Sequence, residues 1–253
     1  MSVTVAVVTH KEYPVVRDPL YIPLMAGSAL MGNVPAEYVR DDTGDNISAS
    51  NRTYCELTGL YWAWKNLDSD YNGICHYRRY FASAKSRRQI LGITEAEELL
   101  GQIGILLPRP RNYFIETNYS QYAHAHHAED LDKTREIIAR RQPDYLDAFD
   151  RRMRMRSGHR FNMLIMKREI LDRYCTWLFD ILFELERQLD ISDYEEKDKR
   201  VFGYVAERLL DVWLDQNDIS YIETPYIMTE KEHLLLKAAG LLKRKIRAMV
   251  KKA

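Results

Sequence analysis

Two adjacent arginines at the end of a short apolar run are the residues of this chain best placed to hold an anion. The stretch Gly73-Ile-Cys-His-Tyr-Arg-Arg-Tyr-Phe81 begins as a buried strand and breaks into His76, Tyr77, Arg78 and Arg79. Guanidinium groups near a core are costly unless something anionic meets them, and arginine grips phosphate through paired hydrogen bonds. Lys11, Arg109 and Arg111 follow two other apolar runs, Val3 to Val8 and Gly104 to Pro108. Ligands of open α/β sheets sit beyond the carboxyl ends of the strands, so these cations could converge on one crevice and neutralise a nucleotide diphosphate. Taken singly, each arginine reads better as a solvated surface group. No GxxxxGK[ST] or GxGxxG is present, which argues against a P-loop or a dinucleotide fingerprint.

Carboxylates are the second class of candidate. Glu207 lies among apolar positions in Gly203-Tyr-Val-Ala-Glu-Arg-Leu-Leu210, so it either pairs with Arg200 or Arg208 or does proton-transfer chemistry. Asp130 stands four residues after His126, a spacing that puts both on one face of a continuous helix, where they could meet a substrate. The cluster His124, His126, His127, Glu129, Asp130 does not match HExxH or a His-x3-His pair, so zinc is not expected. Asp68-Ser69-Asp70 has the Asp-x-Asp form that supplies oxygens to Mn2+ or Mg2+, but it precedes its strand and also reads as an ordinary turn. No metal ligand is assigned; a divalent cation is left open.

The elements that would position these groups alternate. Val3–Val8, 73–81, 104–108, Phe161–Met166 and Ser220–Tyr226 read as strands. Asn51–Lys65, 84–102, 118–141, 143–155, Arg168–Leu189 and Lys199–Gln216 read as helices, with Thr94 to Glu97 fitting a capping box and 12–50 irregular. That order predicts an α/β fold with a mostly parallel, Rossmann-type sheet flanked by helices. The 253 residues bury a full core, and 37 basic residues balance 37 acidic ones, which excludes a nucleic-acid polycation. Three dispersed cysteines fit a reducing cytosol. From Lys237 to Lys252 seven basic residues and no acidic ones share a segment with an apolar face, so 234–252 is expected to form a basic amphipathic helix on an anionic membrane surface.

Taken together, Val7-Val-Thr-His-Lys11, Gly44-Asp-Asn-Ile-Ser48, Tyr54 to Asn66, His76-Tyr-Arg-Arg-Tyr-Phe81, Phe161-Asn-Met163 and Arg200 with Gly203 to Arg208 resemble a family. It is that of bacterial capsular and exopolysaccharide glycosyltransferases formerly described as a domain of unknown function. The resemblance covers nearly the whole chain to about residue 228. It implies a GT-A-like glycosyltransferase domain over 1–228 followed by the basic helix over 229–253. It also implies a hexosyltransferase that moves galactose or galactofuranose from a UDP-sugar donor to a lipid-linked or polysaccharide acceptor, such as a capsular, exopolysaccharide or O-antigen glycan. The place is the cytoplasm, peripheral on the inner face of the cell membrane. On this reading Thr9, His10, Lys11, Asp45 and Asn46 hold the nucleoside. His76, Tyr77, Arg78 and Arg79 face the diphosphate, and His126 and Asn162 face the acceptor. Glu207 or Asp130 serves as the base. Many GT-A enzymes carry Asp-x-Asp just after the central strand; His76 to Arg79 occupies that place here, so protein cations are expected to replace the metal in part or whole. The alternative is a non-catalytic carbohydrate- or nucleotide-binding module of a polysaccharide assembly complex.

Overall fold

The computed structural model describes residues 1–229, so the basic segment 234–252 lies outside the described residues. In chain order the elements are β1 Val3–Thr9, β2 Tyr21–Met25, β3 Val39–Arg40, α1 Asn51–Tyr54, α2 Leu57–Asn66, β4 Tyr71–His76, β5 Arg79–Phe81 and α3 Ile93–Ile103. They continue with β6 Ile105–Pro108, β7 Arg111–Asn112, α4 Asn118–Ala125, α5 Ala128–Arg141, α6 Leu146–Arg154 and β8 Ser157–Gly158. The last are β9 Leu164–Lys167, α7 Arg168–Gln188, α8 Val201–Gln216, β10 Ile222–Thr224 and β11 Tyr226–Met228.

The main sheet has the order β10-β6-β9-β4-β1-β2-β3, with β5 and β11 extending it beside β4. Strands β3, β2, β1 and β4 pair in parallel, as do β6 and β10. Strand β9 runs antiparallel to both β4 and β6, which makes those two parallel in direction. The expected α/β fold with a mostly parallel sheet is therefore present, with β9 reversed at its centre and β5 reversed beside β4.

The period-two alternation of the strands sorts their side chains onto two cores. Ala6 and Val8 of β1, Ile74 of β4 and Leu164 and Met166 of β9 face one core, shared with α2, α7 and α8. Val5 and Val7, Cys75 and Ile165 face the other, with α3. Burial on both faces is why β1 carries no polar residue between Val5 and Val8. Leu171, Leu178, Leu182 and Leu185 lie on one stripe of α7 and seal the first core. Gly73 permits a close backbone approach to β9: a Cβ there would stand 2.2 Å from the carbonyl oxygen of Leu164.

Four expectations are corrected. The segment 12–50 is not wholly irregular, because it contains β2. Pro23 lacks an N–H and so argues against a central strand, yet β3 pairs only with Leu24 and Met25, so no ladder is needed on that side of Pro23. The helix expected at 84–102 begins at Ile93, and Asp18 Oδ1 rather than Thr94 accepts from its first N–H, at 3.2 Å. The helix expected at Asn51–Lys65 breaks at Cys55, which has φ +53°. The helix expected at 118–141 also breaks. His126 stacks on Tyr204 with ring centroids 4.1 Å apart and His127 on Tyr194 at 3.9 Å, and these contacts end α4 and start α5 afresh.

Candidate active site

The carboxyl ends of β1, β2, β4 and β6 share one edge of the sheet, and the reversal of β9 brings its amino end, residues 161–163, to that same edge. Two communicating chambers open there. The first, of about 300 Å³, is lined by Thr9 and His10 after β1, Ala26 after β2, and Asn51 and Arg52 of α1. The second, of about 260 Å³, is lined by Arg78, Arg79, Arg111, Arg160 and Arg208 and by Glu207. Cys55, Glu56, His76 and Arg200 line both and form the boundary between them.

The second chamber is strongly cationic. Six guanidinium groups, counting Arg200, face two carboxylates, Glu56 and Glu207. Arg160 is 3% exposed and is held entirely by neutral groups: Tyr113 Oη, the carbonyls of His159 and Glu207, and Asn118 Oδ1. Arg208 is 4% exposed and donates to Glu207 Oε2 at 2.8 Å and to Gln121 Oε1 at 2.6 Å. Its Nε has no hydrogen-bond partner among the described residues. Burial, with Arg160 alongside, holds the Arg208 pKa below the usual guanidinium value. Gly203 and Tyr204 in the first turn of α8 also line this chamber, so the positive end of that helix adds to the field.

The carboxylates are aimed by backbone that helix and strand propensity would not produce. At the break between α1 and α2, Asn51 Nδ2 donates to the Cys55 carbonyl at 2.8 Å and to Thr58 Oγ1 at 2.9 Å. That turn projects Glu56 into the boundary. On the opposite wall Phe161 and Asn162 both have positive φ, +76° and +51°. Left-handed backbone is tolerated by asparagine but strained for phenylalanine, and such strain persists only where its surroundings impose it. Here Glu207 Oε1 accepts from Phe161 N–H at 3.0 Å, while Asn162 Nδ2 donates to Glu56 Oε1 at 2.8 Å and to the Gly203 carbonyl at 3.1 Å. The Arg79 guanidinium lies 4.3 Å from the Phe161 ring centroid.

Burial, reinforced by the charge of Glu207, raises the Glu56 pKa above the ordinary carboxylate value. Burial and the neighbouring Arg79 and Arg78 push the His76 imidazole down to about 3, so His76 is neutral at physiological pH. It therefore offers hydrogen bonding there, and the charge comes from the arginines. Burial and Glu56 push the Cys55 thiol up to about 11, and Arg200 Nε lies 3.0 Å from its sulfur. Burial likewise lowers the His126 pKa.

The residues expected from sequence divide cleanly. Thr9, His10, His76, Arg78, Arg79, His126 and Glu207 line the chambers. Tyr77 does not; it is 2% exposed and packs edge-on against His10 and Tyr13. Lys11 lies 5.2 Å from the Tyr77 ring and lines neither chamber. Asp45 accepts from Tyr61 Oη and Asn46 bonds the Gly44 carbonyl, both away from the lining. Asn162 acts on Glu56 from behind the wall instead of facing the cavity. Asp130 is 1% exposed, and its two oxygens accept from Tyr122 and Tyr194 hydroxyls at 2.7 and 2.8 Å, so it is a buried structural carboxylate. Sequence reasoning missed Glu56, Cys55 and Arg160 as site residues and took Arg200 only as a partner for Glu207. The polar run Gly158-His-Arg-Phe-Asn162 before a strand would have flagged Arg160 had the reversal of β9 been known.

The Asp68-Ser69-Asp70 pair does not face the crevice. Asp68 pairs with Arg168, and Asp70 accepts from Ser2 N–H at 2.7 Å. Both lie at the amino end of β4, roughly 20 Å from the crevice at a strand rise of about 3.3 Å per residue. Among the described residues no group of three or more His, Cys, Asp or Glu side chains is arranged to hold a metal. A larger hollow of about 780 Å³ lies between α5, α7 and α8, but no strand end reaches it, and its Arg141 is already paired with Asp180.

Comparison with known proteins agrees with this geometry. The model of a family described as a domain of unknown function, DUF4422, matches residues 4–218. The chain belongs to that family. A solved structure of WbbM, a bifunctional glycosyltransferase in its apo form, superposes with a TM-score of 0.86 at 28% identity. The match covers 92% of this chain and 46% of that one, so the chain spans under half the length of that relative. No curated protein matches the chain. The fold of this family member is thus that of a glycosyltransferase, and its cationic crevice occupies the sheet edge where such folds hold their ligands. Among the described residues no helix is long and apolar enough to cross a membrane.

Proposed function

We propose that this chain transfers a hexose, galactose or galactofuranose, from a UDP donor to a lipid-linked or polysaccharide acceptor of capsular, exopolysaccharide or O-antigen type, at the cytoplasmic face of the membrane. The observation that carries this reading is the pairing of six guanidinium groups with two carboxylates at one sheet edge. The less charged chamber beside Thr9 and His10 takes the nucleoside. Arg78, Arg79 and Arg200 take the diphosphate and stabilise the charge that builds on UDP as it leaves, a role many enzymes give to a metal. The acceptor enters from the side of Tyr113, Gln121 and His126.

Glu56 is the base. It sits at the boundary where donor and acceptor meet, and its carboxylate takes the acceptor hydroxyl proton. The acceptor oxygen then bonds to the anomeric carbon, and the bond from that carbon to the β-phosphate oxygen breaks with its electron pair leaving on UDP. Glu207, with one oxygen on Phe161 N–H and the other on Arg208, is committed to holding the wall and tunes Glu56 through its charge.

Incubation with UDP-galactose or UDP-galactofuranose is expected to release UDP only when acceptor is present, with no loss of rate in EDTA. Arg78→Ala and Arg79→Ala are each expected to lower kcat about 10²-fold, the effect of removing one donor to a developing anion. Donor binding with no turnover would identify a binding module instead. Activity lost in EDTA and restored by Mn2+ would overturn the assignment of the diphosphate to protein cations alone.

A further inference from the structure

The ribbon formed by β7 and β8 ends in an exposed apolar tip. Phe114 is 75% exposed and Ile115 64%, and Met155 on the facing segment is 39% exposed. Arg109, Arg111 and Arg156 are exposed beside them, and neither 109–115 nor 155–158 contains an acidic residue. We propose that this tip is a membrane-docking surface, inserting Phe114 and Ile115 into the interface of an anionic lipid layer while the flanking arginines meet its headgroups.

Three features favour a lipid layer as the occupant. The first is charge: a cluster of arginines with no carboxylate in either segment complements anionic headgroups, each such arginine strengthening binding roughly fivefold. The second is composition, since an aromatic and an aliphatic side chain flanked by arginine and Tyr113 match what partitions into a bilayer interface. The third is backbone satisfaction. Polar backbone entering a lipid interface must already be paired. At the tip, Phe114 N–H donates to Asn112 Oδ1 at 2.7 Å, its carbonyl accepts from Arg156 at 3.2 Å, and Ile115 N–H donates to the Tyr113 carbonyl at 2.6 Å. Tyr113 N–H donates to the Arg156 carbonyl at 2.7 Å. Phe114 takes a left-handed φ of +58° within this network.

The placement has a use. Arg111 and Tyr113 belong to the ribbon and also line the cationic chamber. Docking the tip therefore sets the crevice mouth at the membrane surface, where a lipid-linked acceptor presents its sugar. That use rests on the proposed transfer; the docking does not.

The test uses the full chain and needs neither donor nor acceptor, so it stands or falls apart from the proposed activity. Trp62, Trp177 and Trp213 are buried and Trp64 is half-buried with its Nε1 on Asp172, so the F114W signal is read as the change over wild-type emission. With vesicles containing phosphatidylglycerol, its emission is expected to shift to the blue and to be quenched at least twofold by brominated lipid. Phe114→Ser with Ile115→Ser is expected to weaken vesicle partition about tenfold through lost apolar insertion, and Arg109→Ala to weaken it roughly fivefold. Unchanged F114W emission while the chain still sediments with vesicles would show that another segment holds it, and would overturn the proposal. So would the absence of vesicle binding, or a tip signal that responds only to a protein partner.

Discussion

Replacing Glu56 by glutamine is expected to lower kcat by about 10²–10⁴-fold, the usual contribution of a positioned general base, while donor binding changes little. The amide would keep the shape of the side chain and a hydrogen-bonding group toward Asn162, so the loss reports proton transfer and not collapse of the wall. The pH dependence separates this from a structural role. Glu56 is faced by Glu207 and Arg200 from α8 and its flank, by Asn162 from the turn before β9, by His76 from β4 and by its neighbour Cys55. Burial first, then Glu207, raises its pKa. The base works ionised, so wild-type kcat is expected to fall as pH drops through that raised value, and Glu56→Gln to lose this acid limb. Glu207→Gln removes the neighbouring negative charge and is expected to move the limb to lower pH. Stability runs the other way. A carboxyl whose folded pKa is raised contributes stability below its unfolded pKa and loses it as pH rises through the folded one. Glu56→Gln is thus expected to melt higher than wild type at neutral pH, the difference closing in acid. Full kcat in Glu56→Gln would sink the assignment.

The largest expected effect on stability lies at Asp41, which is fully buried. Its Oδ1 accepts from Ser28 N–H at 2.9 Å and Ser48 Oγ at 2.5 Å, and its Oδ2 from Gly27 N–H at 2.9 Å and Thr58 Oγ1 at 2.7 Å. Asp41→Ala leaves Gly27 N–H, Ser28 N–H and Ser48 Oγ without this acceptor in the interior, with Thr58 Oγ1 still able to reach the Cys55 carbonyl at 3.2 Å, and breaking a buried hydrogen-bonding hub of this kind costs about 3–5 kcal/mol. Domains are stable by only about 5–15 kcal/mol, so urea denaturation is expected to show a large fall in midpoint. The damage reaches the active site by a short route. Thr58 Oγ1 links Asp41 to Asn51, which holds the Cys55 carbonyl at the turn that aims Glu56. Activity of the folded fraction is therefore expected to fall as well. An Asp41→Ala chain with the wild-type midpoint would refute the hub.

Local pattern carried the expected fold a long way. The continuous apolar run of β1 and the leucine stripe of α7 are local patterns, and such elements form where the sequence places them. The cations after β4 were legible because charge at the end of an apolar run is costly in any fold that buries the run. Where partners lie far along the chain, the pattern was silent. Asp18 starts α3 from 75 residues away. Tyr194 and Tyr204 split one expected helix into α4 and α5, moving Asp130 off the face of His126 and into the core.

Composition and periodicity act locally, and they were enough to indicate an α/β chain and to mark Arg78, Arg79 and Glu207, which line the crevice. Which carboxylate lines both chambers follows from the fold alone: Glu56 does, and Glu207 lines only the second. Glu56 lies within what reads as continuous helix; the Asp41 network breaks that helix at Cys55, and the reversed β9 sets Asn162 opposite. The turn at Cys55 aims Glu56, but the burial and the Glu207 charge that raise its pKa, and the Asn162 and Arg200 groups that oppose them, are brought to it by sheet topology.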